Sequence, residues 1–427
     1  MSEQQPALGV AMVGYGFMGA AHSQAWRVAP RFFDLPYDPR MSVIVGRDGA
    51  RVEAAAERFG WAEAETDWRR VIERADIGVV DICSPGASHV DIAMAALDAG
   101  KHVLCEKPLA NTVHEAEAMA AAAERAAARG VFAMVGFSYR RVPAITFARE
   151  LVAAGRIGEL RQVRAQYLQD WLVDAEGPMT WRLDKALAGS GSLGDIGAHA
   201  IDAVQFITGQ RITGVSGTLQ TLITERPLLG ESVGLGGTAS SERGQVTVDD
   251  VALFTARLSG GALGAFEATR YATGRKNAFR LEFSGSDGAI AFDLERMNEL
   301  EFYDRTEEAG LQGFRRILVT EPEHPYMSAW WPTGHAIGYE HPFSHQVRDL
   351  LMDVAAGRQP RPSFADGLQV QRVLASIETS AAAASVWTDV TDPAFVPPGS
   401  APQTSGRQTG PQTTAPEASV SAQGEAR

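Results

Sequence analysis

The hexapeptide Gly14-Tyr15-Gly16-Phe17-Met18-Gly19 limits what this chain can fold into more than any other stretch, because of what flanks it. The uncharged apolar run Leu8–Val13 precedes it, and a helical pattern follows. A buried strand that turns at once into a helix needs one glycine for the tight turn and another where helix and strand pack closely. The glycine between them lets a pyrophosphate approach the backbone. The new helix adds free N–H groups and the positive end of its dipole. The placement predicts dinucleotide binding at Gly14 and Gly16, with Phe17 and Met18 opening the helix.

The rest of the first third repeats the same rhythm. Apolar runs at Ser42–Val45, Ile77–Cys83, His102–Cys105 and Val131–Phe137 suit strands buried on both faces. Helical stretches at Arg51–Phe59, Val90–Ala99 and Glu115–Ala128 supply the crossovers. Strand and helix alternating at this spacing predict an α/β Rossmann fold, a doubly wound parallel sheet.

From Tyr139 the pattern changes. A helix at Ala144–Ala154, a strand at Gln162–Gln169 and a helix at Asp195–Thr208 lead into strands of period two. These are Val251–Leu258, Leu263–Thr269, Phe279–Phe283, Ile290–Leu294 and Leu300–Tyr303, and helices return at Pro342–Ala356 and Phe364–Ser385. The second half is therefore expected to be an α+β domain with a mostly antiparallel sheet. The Gly/Ser-rich stretch Leu229–Gly244 is expected to be a mobile loop. The domain plan is 1–138 for the dinucleotide, 139–392 for substrate and subunit contacts, and a disordered tail at 393–427. The tail's Pro, Ser, Thr, Gln and Gly cannot bury enough surface to offset ordering entropy.

Composition narrows the function. Thirty-nine basic against 52 acidic residues leave a formal charge of −13, which argues against nucleic acid as partner. Two cysteines cannot make a disulfide framework, and no stretch approaches a membrane span or a signal peptide. A cytoplasmic protein is expected. Nine scattered histidines without an HxxxH or CxxC pair predict no metal site.

Several residues could carry chemistry. The second strand ends Val45-Gly46-Arg47-Asp48, with glycine where an NAD-binding domain usually places an acid for the ribose hydroxyls. Arg47 suits a 2′-phosphate or a stacked adenine, and Asp48 could still reach the ribose, so NAD and NADP both stay open. Ser84, Pro85 and His89 follow the run Ile77–Cys83, at the sheet edge where ligands lie, and are expected to border the cofactor. Glu106-Lys107-Pro108 follows His102–Cys105 directly, and a charged pair there is costly without a ligand or partner. Lys107 could stabilise a developing alkoxide, and the proline suits a cis bond. In Gly191–Asp202, an α-helix would set Asp195 and His199 on one face, with His199 as general base and Asp195 or Asp202 orienting it.

Together, Gly14–Gly19, Glu106-Lys107-Pro108 and Asp195-xxx-His199 resemble the Gfo/Idh/MocA oxidoreductases over residues 7–390. The resemblance implies catalytic roles for Lys107, Asp195 and His199. It also implies cofactor contacts along the first half, Glu106 and Lys107 included, and an open sheet in the second domain that forms oligomer contacts. Gly136-Phe137-Ser138-Tyr139-Arg140-Arg141, Tyr167-Leu168-Gln169-Asp170-Trp171, Glu267-Ala268-Thr269-Arg270 and Gly338-Tyr339-Glu340 are similar to its levoglucosan- and inositol-dehydrogenase branch. Tyr139, Arg140, Trp171, Arg182 and His335 are the candidate substrate contacts, since aromatic faces and hydrogen-bonding groups suit a polyhydroxylated ring. The expected activity is NAD(P)-dependent hydride transfer at a ring carbon of a cyclic sugar or polyol, in a homodimer or homotetramer. An NAD-dependent glycosidase and a non-catalytic sugar or cofactor sensor are the alternatives.

Overall fold

The computed structural model describes residues 5–233 and 236–391, and the tail assigned to 393–427 lies outside them. The first half is β1 (Ala7–Val13), α1 (Phe17–Phe32), β2 (Asp38–Val45), α2 (Gly49–Phe59), β3 (Glu63–Glu65), α3 (Trp68–Ile72), β4 (Ile77–Ile82), α4 (His89–Asp98), β5 (His102–Cys105), α5 (Val113–Ala127) and β6 (Ala133–Val135). Its six strands are all parallel, in the order 3-2-1-4-5-6. The uninterrupted apolar runs have the expected cause. Ala11, Val43, Val80 and Val103 feed a core on one face, and Val10, Met12, Ile44, Val79 and Leu104 feed another on the opposite face. Strand order reverses between β1 and β4, which opens a crevice at their carboxyl ends. β3 and α3 escaped the sequence reading because Glu63-Ala64-Glu65 is short and polar.

The second half follows as α6 (Pro143–Ala153), β7 (Leu160–Leu168), α7 (Lys185–Ala188), a π-helical turn (Leu193–Gly197) running into α8 (Ala198–Thr208), β8 (Ile212–Gln220), β9 (Glu225–Val233), β10 (Gly236–Gln245), β11 (Val251–Leu258), β12 (Leu263–Thr269), β13 (Ala278–Gly285), β14 (Gly288–Asp293), β15 (Glu299–Asp304), β16 (Arg315–Leu318), α9 (His341–Ala355), α10 (Phe364–Ala382) and β17 (Thr388–Asp389). Nine strands form one sheet in the order 16-15-14-13-7-12-11-8-17. It is antiparallel except where β7 and β12 run parallel. Its inner residues, such as Ala252, Phe254, Ala256 and Phe266, are buried, and α8 and α10 pack on β7 and β8. The outer face is of mixed character. It carries cross-strand pairs, Arg164–Glu282 at 2.7 Å, Gln166–Glu267 at 2.8 Å and Arg280–Asp293 at 2.9 Å, beside exposed Leu253 and Leu263. Polar cross-strand pairs and scattered leucines, rather than a continuous apolar face, line this side.

The stretch read as a mobile loop is instead a two-stranded antiparallel ribbon, β9 against β10. Gly and Ser hide its period, and its anchor lies just outside the Gly/Ser run. Arg226 is fully buried and donates to the carbonyls of Leu172 (2.5 Å), Asp174 (2.6 Å) and Gly177 (3.1 Å). Among the described residues no helix is long and apolar enough to cross a membrane.

The start of the π turn is held by Asp249, whose carboxylate accepts from Gly191 N–H at 2.7 Å and Leu193 N–H at 2.8 Å. Gly191 is obligatory there, since a Cβ would lie 1.8 Å from the Asp249 carbonyl oxygen. Asp249→Ala leaves two buried N–H groups unpaired and should lower stability by about 1–3 kcal/mol. A urea denaturation curve identical to wild type would show that Asp249 does not secure this turn.

Candidate active site

Each glycine of the first turn has its own task. Gly14 has φ +108°, and a Cβ would lie 2.7 Å from the Cys83 carbonyl. At Gly19 a Cβ would lie 2.3 Å from the Gly14 carbonyl oxygen, which is the close helix–strand contact expected. Gly16 faces open space, with nothing within 4 Å of its virtual Cβ. No side chain caps α1 at Gly16, so the N–H groups of its first turn stay available to an anion. Phe17 is exposed and Met18 half-buried beside this opening. The turn therefore fits a dinucleotide pyrophosphate on its own geometry.

The adenosine end is arranged differently from the sequence expectation. A Cβ on Gly46 would lie 1.9 Å from Tyr15 Cε1, so the tyrosine ring occupies the space an acidic side chain would need. Asp48 is engaged as the cap of α2, accepting from Arg51 N–H at 3.1 Å and pairing with its guanidinium at 3.4 Å. Arg47 remains exposed at the strand end.

His89 requires a correction. It is buried, with Nδ1 facing the Pro108 and Leu109 carbonyls (3.0 and 3.3 Å) and Nε2 facing the Ser84 carbonyl (2.9 Å). Both nitrogens face backbone carbonyls, and burial lowers the pKa, so the one N–H of the neutral ring bonds either the loop after β4 or the segment after β5. The ring packs into the protein rather than toward a cofactor. Ser84 hydrogen-bonds Ser88 at 2.7 Å, and Pro85 is exposed before a short 3-10 turn.

Lys107 meets the second half here. Its Nζ donates to the Asp195 carbonyl at 2.7 Å and lies 3.4 Å from Asp195 Oδ1, while the Lys107-Pro108 peptide is cis. Arg270, fully buried, reaches Asp195 Oδ2 at 3.3 Å. Burial alone would raise the Asp195 pKa, but Lys107, Arg270 and Arg182 outweigh it and hold the carboxyl well below the usual range. The expected Asp195–His199 pairing does not form. Residues 193–197 make a π turn instead of an α-helix, which breaks the i, i+4 register, and Asp195 is taken up by cations. His199 packs against Tyr139 (4.5 Å between ring centroids) and Phe137, and its Nδ1 is buried without a hydrogen-bond partner. Burial first, then Lys107, depress its pKa well below the histidine range. At neutral pH it is a neutral imidazole.

The five candidate substrate residues separate. Tyr139, Trp171 and Arg182 lie around this cluster. The Tyr139 hydroxyl starts a chain through Tyr167 (2.7 Å), Asn277 (2.9 Å) and Gln169 (2.8 Å) to the Trp171 indole (2.9 Å). Arg182 stacks on Trp181 and feels Asp195. Arg140 is otherwise engaged, clamped bidentately on buried Asp202 at 2.6 and 2.8 Å with Phe206 against its guanidinium. That ion pair occupies both, so Arg140 is no substrate contact and Asp202 does not orient His199. His335 is exposed on a loop with Nδ1 toward the Pro332 carbonyl, outside the Lys107–Asp195–His199 contacts.

Arg270 and His22 went unread as site residues, while Tyr339 was expected to border the cleft. Arg270 was visible only as part of a motif. Tyr339 bridges the two halves, with its ring 6.2 Å from Phe17 and 6.5 Å from Tyr139. His22, one turn beyond Gly19, lies with both ring nitrogens on carboxylates. Its grouping with Asp81 and Cys83 has metal-like spacing, ligand atoms within 4.8 Å of one another, but the imidazole is already engaged on both sides.

Residues 8–137 match the oxidoreductase family with an NAD-binding Rossmann fold, and residues 145–291 match the GFO/IDH/MocA C-terminal domain. Levoglucosan dehydrogenase of Pseudarthrobacter phenanthrenivorans is 41% identical over 90% of this chain and 98% of its own. A crystal structure of an oxidoreductase domain protein from Kribbella flavida is 62% identical, with TM-score 0.87 over 91% of this chain and 100% of that one. A levoglucosan dehydrogenase solved with NADH and levoglucosan is 40% identical, with TM-score 0.85 over 90% and 100% of the two chains.

Two outcomes follow from this geometry. Gly46→Asp, which imitates the usual acidic strand end, should weaken NAD binding instead of improving it, because Tyr15 must leave its place. Adding Tyr15→Ala should restore affinity, and a fluorescence titration in which the single variant binds NADH more tightly than wild type would refute the packing argument. A depressed histidine pKa also keeps the base unprotonated as pH falls. The acidic limb of kcat/KM should therefore lie below pH ~6.5, the ordinary histidine value, and Lys107→Met should move it upward. A limb at or above that value in the wild type would reject the neutral imidazole.

Proposed function

Because the chain belongs to the Gfo/Idh/MocA oxidoreductase family, we propose that it oxidises a ring hydroxyl of a cyclic sugar of the levoglucosan type with NAD, reversibly. The observation that carries this is the grouping of Lys107, Asp195 and neutral His199, linked through Tyr139 and Tyr339 to Phe17 at the open glycine turn. The 41% identity to levoglucosan dehydrogenase supports an anhydrosugar over an open-chain polyol.

Bound at the glycine turn, NAD supplies the acceptor for the hydride on the hydroxyl-bearing carbon. His199 takes the hydroxyl proton, and Lys107 hydrogen-bonds the same oxygen and stabilises its developing charge. Asp195 stays ionised and holds Lys107 in place, in the role first assigned to it toward His199. Tyr139 braces the imidazole face, while Trp171 and Arg182 border the sugar. Residues 1–138 serve the dinucleotide and 139–392 the sugar. The reading includes a reducing, cytoplasmic setting, supported by two free cysteines. It also includes a homodimer or homotetramer joined through the outer sheet face, supported by exposed Leu253 and Leu263.

Lys107→Ala and His199→Ala should each lower kcat/KM by about 100-fold or more. The His199 variant should still bind NADH, since the glycine turn is untouched. Absorbance at 340 nm with anhydrosugars, cyclitols and aldoses, each with NAD and NADP, checks the substrate class. Turnover of cyclitols alone would reject the anhydrosugar assignment, and near-normal rates in both variants would reject the catalytic one.

A further inference from the structure

Beneath the glycine turn, His22 on α1 bridges two carboxylates from neighbouring strands. Its Nδ1 lies 2.9 and 3.0 Å from the two Asp81 oxygens, and its Nε2 lies 3.0 Å from Glu106 Oε1. Trp26 Nε1 also donates to Asp81 at 2.7 Å, and the backbone N–H of Lys107 donates to Glu106 at 3.2 Å. All three side chains are buried, Asp81 completely. Space has been left for them, since a Cβ on Gly136 would lie 2.6 Å from Glu106 Oε1.

The charge of this group does not depend on where its protons sit. An imidazolium between two carboxylates carries −1. A neutral imidazole facing one carboxylate and one carboxylic acid also carries −1. Burial is the largest influence and opposes the charged imidazole, but Asp81 and Cys83 together overcome it and raise the His22 pKa well above the ordinary range. A net negative charge without water around it is expensive unless something positive lies nearby. The group sits at the ends of β4 and β5, beside the switch point between β1 and β4, where a Rossmann sheet receives its dinucleotide.

We propose that the buried His22–Asp81–Glu106 group tunes the cofactor through space, favouring the cationic oxidised nicotinamide over the neutral reduced one. This rests on the reading of the chain as an NAD enzyme. The group acts as a positioning and field element, not as a catalytic residue, because Asp81 and His22 are closed off from any ligand.

The test is equilibrium binding of NAD+ and NADH to the full-length protein, followed by protein and NADH fluorescence. Glu106→Gln leaves His22 paired with Asp81 and so brings the charge of the group to zero. It should weaken NAD+ by about tenfold, the order expected on losing the attraction of one charge through a protein interior. NADH should change by less than about threefold on the same reasoning. Asp81→Asn instead removes the carboxylate that holds the proton on His22, leaves Glu106 charged, and should move the NAD+/NADH ratio by less than about threefold. It separates loss of charge from loss of packing. Equal losses for both dinucleotides in Glu106→Gln, or no change in either, would make the group a fold clamp and overturn the proposal. Wild type that binds neither dinucleotide would overturn the NAD reading itself.

Discussion

The hydrogen bond from the Lys107 ammonium to the Asp195 carbonyl, 2.7 Å long, ties the end of the parallel sheet to the start of α8. A cation at a helix N-terminus runs against the helix dipole and stays only if a negative group offsets it. Asp195 supplies that group within the same turn, where the dipole favours a carboxylate. The carboxylate in turn stays ionised because Lys107, Arg270 and Arg182 surround it. Removing any one member leaves a partly desolvated charge uncompensated, so the arrangement stands or falls as a unit. His199 follows from it. Packed on Tyr139 and beside the charge of Lys107, its ring rests neutral, and a neutral ring is what an alcohol oxidation needs in order to accept the hydroxyl proton.

Much of the fold was legible because its causes are local. The continuous apolar run of β5 and the period-two alternation of β11 and β12 give those strands the bounds they have. Gly14 and Gly19 announced the first crossover because no other residue fits a positive φ or a 2.3 Å approach to backbone. Lys107 was legible for an energetic reason, since a charge at the end of a buried strand needs a partner.

Other features depend on residues far apart in the chain. No rule of spacing says that Tyr15 fills the place of an acid at Gly46, that carbonyls face both nitrogens of His89, or that Asp202 claims Arg140. The i, i+4 argument for Asp195 and His199 assumed an α-helix. The π turn between glycines 191 and 197 overturns it, and its signature in sequence is only a run of small residues. The β9–β10 ribbon failed as a prediction for a related reason. Its order comes from Arg226 reaching carbonyls some 50 residues upstream, 52 for Asp174, and not from its own Gly/Ser composition.

Glu106-Lys107 now stands between two charged clusters of opposite sign. On one side lies the buried −1 group of His22, Asp81 and Glu106. On the other, three cations, Lys107, Arg182 and Arg270, face the single carboxylate of Asp195. In the proposed reaction, loss of the hydroxyl proton places an alkoxide beside the cations and leaves the oxidised nicotinamide beside the anionic group. Hydride transfer then cancels both charges. The two clusters therefore stabilise the state after proton loss more than the state after hydride loss. Proton removal, the costly half in water, becomes easier. Hydride transfer from an alkoxide, which is strongly downhill without such fields, is drawn back toward even. In this reading the reaction runs in either direction with small internal steps, and a base that solvent protons leave neutral stays ready for the hydroxyl proton as pH falls.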